Sequence, residues 1–334
     1  MKAAYLEQTG GPEVIKYGTL PDPEPKAGEY RIKVRAAALN PIDTYIRAGM
    51  VAMVLPFPFI PGCDFAGTIE SAGPGTSRFA VGDRVWGSNQ GLLGRQGTFA
   101  ELACIHEDFI YPTPPGVADE QAAACSLVGI TAHLGLFHCA RLQPGETVFV
   151  NGGTGGVGTM VLQMARAIGA TAITTAGTPE KRALAKEYGA EHAICYKTED
   201  VNAKVKEFTD GKGVNVWFET QPPTEFDKTF DAMASRGRVI VMAGRGARPT
   251  FPNGPFYVKN LSMHGFAMFN ISTDEQRTCA DEINSWLAEG KLRTIIGRTM
   301  HFSEAAAAHQ LQEENTVKKA GTLTGKIVLV PDGI

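Results

Sequence analysis

The stretch Asn151–Gly158, NGGTGGVG, holds five glycines in eight residues, and the apolar pattern TMVLQMARAIGA follows at once. So much backbone without side chains means that something approaches the main chain closely. The glycines fit G-x-G-x-x-G at Gly153, Gly155 and Gly158, and also G-x-x-G-x-x-G at Gly152, Gly155 and Gly158. Neither spacing is specific alone, so the flanks decide. ETVFV, just before, reads as a strand. TMVLQMARAIG reads as a helix, with Val157, Val161, Leu162, Ala165 and Ile168 on one face. A glycine loop that leaves a strand and opens a helix offers free N–H groups and a positive dipole end to a pyrophosphate. The competing reading is a tight turn that only packs helix on strand.

Outward from the loop, strands and helices alternate. TAITTAG, HAICY, VNVWFET and RVIVMAG read as strands, with PEKRALAKEYGA, VNAKVKEFTDG and TEFDKTFDAMASRG as helices between them, and LSMHGFAM as a last strand. Such alternation predicts an α/β fold with a doubly wound parallel sheet of the Rossmann type. The first third has a different texture. YRIKVRAAAL places Ile32, Val34, Ala36 and Ala38 on one strand face, and FAGTIESAG, VGDRVWG and GTFAELACI add short strands, which suggests a compact β-barrel-like unit. ADEQAAACSLVGITAHLGLFHCARL joins the two as helix, with Gly129 as a possible break. TDEQRTCADEINSWLAEG and SEAAAAHQLQ are further helices, and KIVLV is a final strand.

The end of the strand after the loop tests the cofactor. About 20 residues beyond the glycines, NAD sites carry Asp or Glu on the ribose 2′-OH. Here the strand ends Thr174-Thr175-Ala176-Gly177-Thr178, without an acid, and Lys181 and Arg182 follow. A missing carboxylate beside cations suits a 2′-phosphate, hence NADPH. The alternative is two solvated charges on a helix that also carries Glu180.

Composition excludes several classes. The 334 residues suit two domains, and 43% hydrophobic with 20% charged residues is ordinary for a globular chain. A net charge of -3, with no basic run, points to neither nucleic acid nor an anionic membrane as partner. MVAMVLPFPFIPG, from Met50, is too short to span a bilayer and holds Pro56, Pro58 and Pro61; MKAAYLEQTGGPEV lacks the apolar core of a signal peptide. Cysteines at 63, 104, 125, 139, 195 and 279 form no C-x-x-C pair, so neither a disulfide framework nor a zinc ribbon is indicated. The expected location is cytoplasmic, with reduced thiols.

GGPEV near the start, LNPIDTYIRAG at 39–49, PGCDFAG at 61–67, VGDRVW at 81–86, GTFAEL at 97–102, NGGTGGVG, TTAGTPEK, GRVIVMAGRG and the terminal TGKIVLV together carry a family resemblance. Over nearly its whole length the chain resembles the medium-chain dehydrogenase/reductase superfamily, in the zinc-free quinone oxidoreductase branch that includes zeta-crystallin. The resemblance implies a GroES-like β-barrel catalytic domain over 1–120, a Rossmann NADP-binding domain over 121–268, and a return to the catalytic domain over 269–334. It implies NADPH held by Thr154, Gly155, Gly156 and Val157 at the pyrophosphate, and by Gly177, Lys181 and Tyr196 around the 2′-phosphate. Met242, Ala243, Gly244 and Arg245, Phe266, Ala267 and Met268, and Thr131 match positions beside the nicotinamide. It also implies a homodimer paired through residues 261–268.

Zinc relatives have Cys at the position of Asn40, a His-Glu pair at Cys63-Asp64, and a third ligand near Leu127; no competent set survives here. Cys63 with Cys125, or Cys104 with His106, could hold a metal, but buried thiols are the ordinary reading. No metal is expected, which removes the Lewis acid that polarises an alcohol or carbonyl. The acceptor is therefore expected to be electrophilic already, a quinone or enone, met by Asn40, Asp43 and Tyr45. Asn40 or Tyr45 could donate to its oxygen as charge develops; alternatively Asp43 and Tyr45 only fasten the loop after an extended Asn-Pro turn. Two departures stand out. Val51 replaces a tyrosine seen in several relatives, so the mouth should be more apolar, and FETQPP lacks the small residue usual near Gln221. An enoyl-thioester reductase would need a basic channel, for which Arg245, Arg248 and Lys259 are the candidates. A protein that retains NADPH without useful turnover is the reading from outside the enzymes.

Overall fold

The computed structural model describes residues 1–222 and 224–333. The chain forms two compact units, one of residues 1–128 with 273–334 and one of residues 129–272.

In the first unit a seven-stranded sheet runs Ile296–His301, Lys326–Val330, Glu29–Leu39, Asp64–Ala72, Arg84–Gly87, Ile110–Pro112, with Leu102–His106 also on Glu29–Leu39. The long strand Glu29–Leu39 organises it. Its alternation buries Tyr30, Ile32 and Val34 against Phe65, Val85, Phe99, Ile327 and Leu329. Lys326–Val330 pairs antiparallel with the end of that strand, Leu329 opposite Ala37, so the last strand of the chain completes the sheet begun by the first third.

The second unit is a six-stranded parallel sheet in the order His192–Cys195, Thr171–Ala176, Thr147–Asn151, Val214–Glu219, Met233–Val241, Ser262–Gly265. The chain starts in the middle, steps outward twice, then crosses to the other side. The direction of winding therefore reverses between Thr147–Asn151 and Val214–Glu219, which makes the crevice above these two strands the place where such sheets bind ligands. Phe149 and Trp217 stack beneath it with centroids 4.0 Å apart, in a core with Ile173, Ile194, Phe230 and Val239.

Several expectations need correcting. Gly129 does not break the helix, which runs Asp119–His133 and continues as a π-turn over Leu134–Cys139. By length and composition Asp119–Cys139 would suffice to cross a membrane, but 78% of its apolar window is buried inside the protein. The helix expected over TEFDKTFDAMASRG ends at Ala232, because buried Met233 is drawn into the sheet opposite Val214. The strand expected over 261–268 covers only Ser262–Gly265. Beyond it Met268 turns inward and is buried, and the backbone closes a tight turn through Asn270 N–H to Ala267 O at 2.9 Å. Asn40 is extended, as expected before a proline, but Pro41 then opens the helix Pro41–Arg47 rather than a loop, and its missing N–H costs nothing there.

Candidate functional site

The glycine loop lies at the carboxyl end of the central strand. A Cβ at Gly153 would come within 2.3 Å of Thr174 Oγ1, and one at Gly158 within 2.2 Å of Gly152 O, so these two glycines allow the loop and its helix to pack. Gly155 is different. A Cβ there would meet only Gly152 O at 3.4 Å, so its outer side is open to an incoming group. Gly155 caps the helix Gly156–Ala167, whose first turn presents Gly156, Val157 and Gly158 N–H groups beside Thr154.

Polar residues below hold this loop in shape. Asn151 Oδ1 accepts from Thr175 Oγ1 at 2.8 Å, and Thr175 Oγ1 in turn accepts the Gly152 N–H at 3.2 Å. Asn151 Nδ2 donates to Glu219 Oε1 at 3.0 Å. Glu219 is buried, and burial raises its pKa against the hydrogen bonds from Gln221 N–H, Trp217 and Asn151. Asn151, Thr175 and Glu219 were missed in the sequence. The available signal was a polar residue at the carboxyl tip of each of three adjacent parallel strands.

On one side of the loop lie the residues matched to the adenosine end. Gly177 ends the strand Thr171–Ala176, and the Tyr196 hydroxyl packs against it, 2.5 Å from where a Cβ would stand. Tyr196 is 57% exposed. The two cations differ. Arg182 donates to Ala193 O at 2.9 Å and pairs with Glu199 at 3.8 Å, whereas the Lys181 ammonium has no partner among the described residues. On the other side, Met242, Ala243, Gly244 and Arg245 follow the strand Met233–Val241, and half-buried Phe266 and Ala267 with buried Met268 follow Ser262–Gly265. Thr131 is buried in the long helix.

The first unit contains a buried polar cluster. Asn40 caps the helix Pro41–Arg47; its N–H donates to Asp43 Oδ2 at 2.8 Å. Both of its amide hydrogens are used, on Asp64 Oδ2 at 2.8 Å and Ala38 O at 3.3 Å, and its Oδ1 accepts from Lys326 Nζ. Asn40 is thus engaged internally rather than free to donate to an acceptor. Lys326 also donates to Leu39 O at 2.9 Å and lies 3.9 Å from Asp64, which accepts from Ser88 Oγ at 2.6 Å and Leu127 N–H at 3.2 Å. Burial pushes the Asp43 carboxyl up to about 7, opposed by hydrogen bonds from the Cys63 thiol and the Asn40 N–H. Burial, and then the Asp43 charge, keeps the Cys63 thiol well above its usual range. Burial also lowers Lys326 and raises Asp64, outweighing their mutual attraction. Asp43 is enclosed, and its Oδ2 takes the backbone N–H of the residue that caps its helix. Tyr45 is half-buried with its hydroxyl unpartnered among the described residues, and burial raises its pKa, which keeps the proton available for donation.

Met50 N–H bonds Tyr45 O at 2.9 Å, and the chain then runs through exposed Met50, Val54 and Phe57 without a polar side chain. Gln96 fixes this stretch, donating to Pro56 O and Pro58 O at 2.9 Å each and accepting the Ile60 N–H at 2.7 Å.

A glycine loop at the switch point of a six-stranded parallel sheet, carried on a chain that also folds a mostly antiparallel sheet unit, defines a two-unit dehydrogenase or reductase of the dinucleotide-binding class. Comparison with known proteins agrees. Residues 26–115 match the alcohol dehydrogenase GroES-like domain, and residues 156–285 match a domain described as zinc-binding dehydrogenase. Quinone oxidoreductases from Pseudomonas aeruginosa and Rattus norvegicus are 34% and 33% identical, each comparison covering 98% or more of both chains. The Escherichia coli quinone oxidoreductase structure complexed with NADPH superimposes with a TM-score of 0.86 at 26% identity, covering 99% of this chain and 100% of that one. The chain belongs to the quinone oxidoreductase branch of the medium-chain dehydrogenase/reductase family, and it is an oxidoreductase.

The domain description raises the question of zinc. Asn40, Cys63, Asp64 and Leu127 occupy the positions compared with zinc ligands, and the Lys326 ammonium stands between Asn40 Oδ1 and Asp64. Leu127 contributes only a backbone N–H, and Cys63 holds its proton. Among the described residues no group of three or more His, Cys, Asp and Glu could hold a metal ion. This donor set, with a cation already inside it, does not fit zinc.

Proposed function

We propose that this chain is a zinc-independent, NADPH-dependent reductase of electrophilic acceptors, quinones or α,β-unsaturated carbonyls. The observation that carries the reading is the tip of the strand Thr171–Ala176: the strand ends without a carboxylate, exposed Tyr196 packs on Gly177 just beyond it, and Lys181 has no partner among the described residues. When bound, NADPH supplies hydride or single electrons. The residues do the rest. The N–H groups from Gly155 to Val157 hold the pyrophosphate, and Lys181 meets the 2′-phosphate. The Tyr45 hydroxyl donates to the acceptor oxygen as negative charge develops on it. An acceptor that needs no Lewis acid suits a site whose fixed cation is the enclosed Lys326.

The thioester alternative is weakened by Lys259, whose ammonium is spent on Phe230 O, Asp231 O and Met233 O. The homodimer through residues 261–268 is supported by the strand Ser262–Gly265, which ends the sheet and leaves Met263 41% exposed. Six cysteines, none of them in a disulfide among the described residues, support a reducing compartment, the cytoplasm. The test is an NADPH-consumption assay across simple quinones, enones and acyl thioesters. Turnover with quinones or enones is expected. Tight NADPH binding without turnover on any of them would favour a non-catalytic role.

A further inference from the structure

Gln221 stands at the carboxyl tip of Val214–Glu219, on the far side of the switch point from Thr171–Ala176. In a sheet wound this way the adenosine half of a dinucleotide lies toward Thr171–Ala176, so the nicotinamide half lies toward Val214–Glu219, with the pyrophosphate between them at the helix start. Gln221 is held firmly from below. Its N–H donates to Glu219 Oε1 at 2.8 Å, the same oxygen that takes Asn151 Nδ2 at 3.0 Å, while Glu219 Oε2 takes Trp217 Nε1 at 3.1 Å. Thr220 Oγ1 donates to Asn151 O. One buried carboxylate thus ties the backbone of Gln221 to the residue that begins the glycine loop.

The side chain reaches that loop. A Cβ on Gly152 would come within 2.9 Å of Gln221 Nε2, and Gly152 holds a φ of +85, which glycine adopts freely. The carboxamide itself is nearly unused. Nε2 has one long contact, 3.4 Å to Thr220 Oγ1, and Oε1 has no partner among the described residues. An exposed amide presents a donor and an acceptor side by side, the complement of two vicinal hydroxyls, one of which accepts while the other donates.

We propose that Gln221 is a cofactor-binding residue whose carboxamide grips the ribose of the nicotinamide half. The proposal rests on the dinucleotide reading above. Dissociation constants for NADPH and for 2′,5′-ADP, which carries only the adenosine half, test it in wild type, Gln221→Ala and Gln221→Glu. Gln221→Ala should weaken NADPH about tenfold while 2′,5′-ADP stays within about twofold, the loss of a paired amide. Gln221→Glu, whose two oxygens can accept from both hydroxyls, should bind NADPH more tightly than Gln221→Ala does. An equal loss of both ligands in Gln221→Ala would make the residue a prop for the loop and overturn the proposal, as would no loss of either. A wild-type protein that binds neither ligand would instead defeat the dinucleotide reading.

Discussion

Replacing Lys326 by methionine removes a fully buried ammonium while keeping a side chain of similar length. Asn40 Oδ1 and Leu39 O lose their donor, and the buried Asp64 carboxylate loses the cation 3.9 Å away, the one that pairs with it among the described residues. Breaking a buried pair from one side typically costs 3–5 kcal/mol. Asp64 keeps its bonds from Asn40 at 2.8 Å, Ser88 at 2.6 Å and Leu127 at 3.2 Å, which places the loss near the low end, about 3 kcal/mol. For a unit of this size that corresponds to a fall in Tm of roughly 6–12 °C. The double variant Lys326→Met/Asp64→Asn removes both charges, so it should recover at least about half of the loss. Thermal unfolding of the four proteins forms a complete cycle. A single variant that loses less than about 1 kcal/mol, or a double variant whose losses simply add, would refute the role assigned to the buried cation.

The pH dependence of stability tests Asp43. Its folded pKa of about 7 lies above the ordinary 3.8, so the native state binds this proton more tightly than the unfolded chain. The stability it contributes is complete below about pH 4 and is lost as pH rises through about 7, at up to ~1.4 kcal/mol per pH unit. Denaturant titrations of Asp43→Asn should therefore show a flatter profile across that window than wild type; identical profiles would contradict the assignment. Lys181→Ala should weaken NADPH about tenfold and leave NADH unchanged by calorimetry, as expected for one lost ammonium–phosphate contact; equal affinity of the wild type for both cofactors would sink the 2′-phosphate reading. Met263→Asp should shift a sedimenting dimer toward monomer by setting like charges at a two-fold edge. A wild-type monomer at micromolar concentration would show that the edge is not the interface.

Much of the α/β unit was legible because each of its elements carries its own signal. The glycines at 153 and 158 mark close approach, and apolar periodicity separates helix from strand. What was not legible depends on contacts between distant residues. Met233 reads as part of a helix until its pairing with Val214 is known, and LSMHGFAM reads as one strand until Met268 is seen to turn inward. In the acceptor region, Asn40 looked like a free donor. Its occupation by Asp64 and Lys326 joins positions up to 286 residues apart, which no local pattern encodes. Lys326 did leave one trace, as the single charge opening the apolar strand KIVLV. Gln221 was noticed as a departure, but its approach to Gly152 appears only when the two strand tips lie side by side.

Zinc independence is tested directly by a single-turnover measurement. Protein dialysed exhaustively against chelator, with its zinc content determined, is loaded with NADPH and mixed with a simple quinone while reduced nicotinamide is followed. Protein lacking zinc should oxidise all of its bound NADPH at an unchanged rate. Stoichiometric zinc in the active protein, with oxidation abolished by its removal and restored by its return, would contradict it.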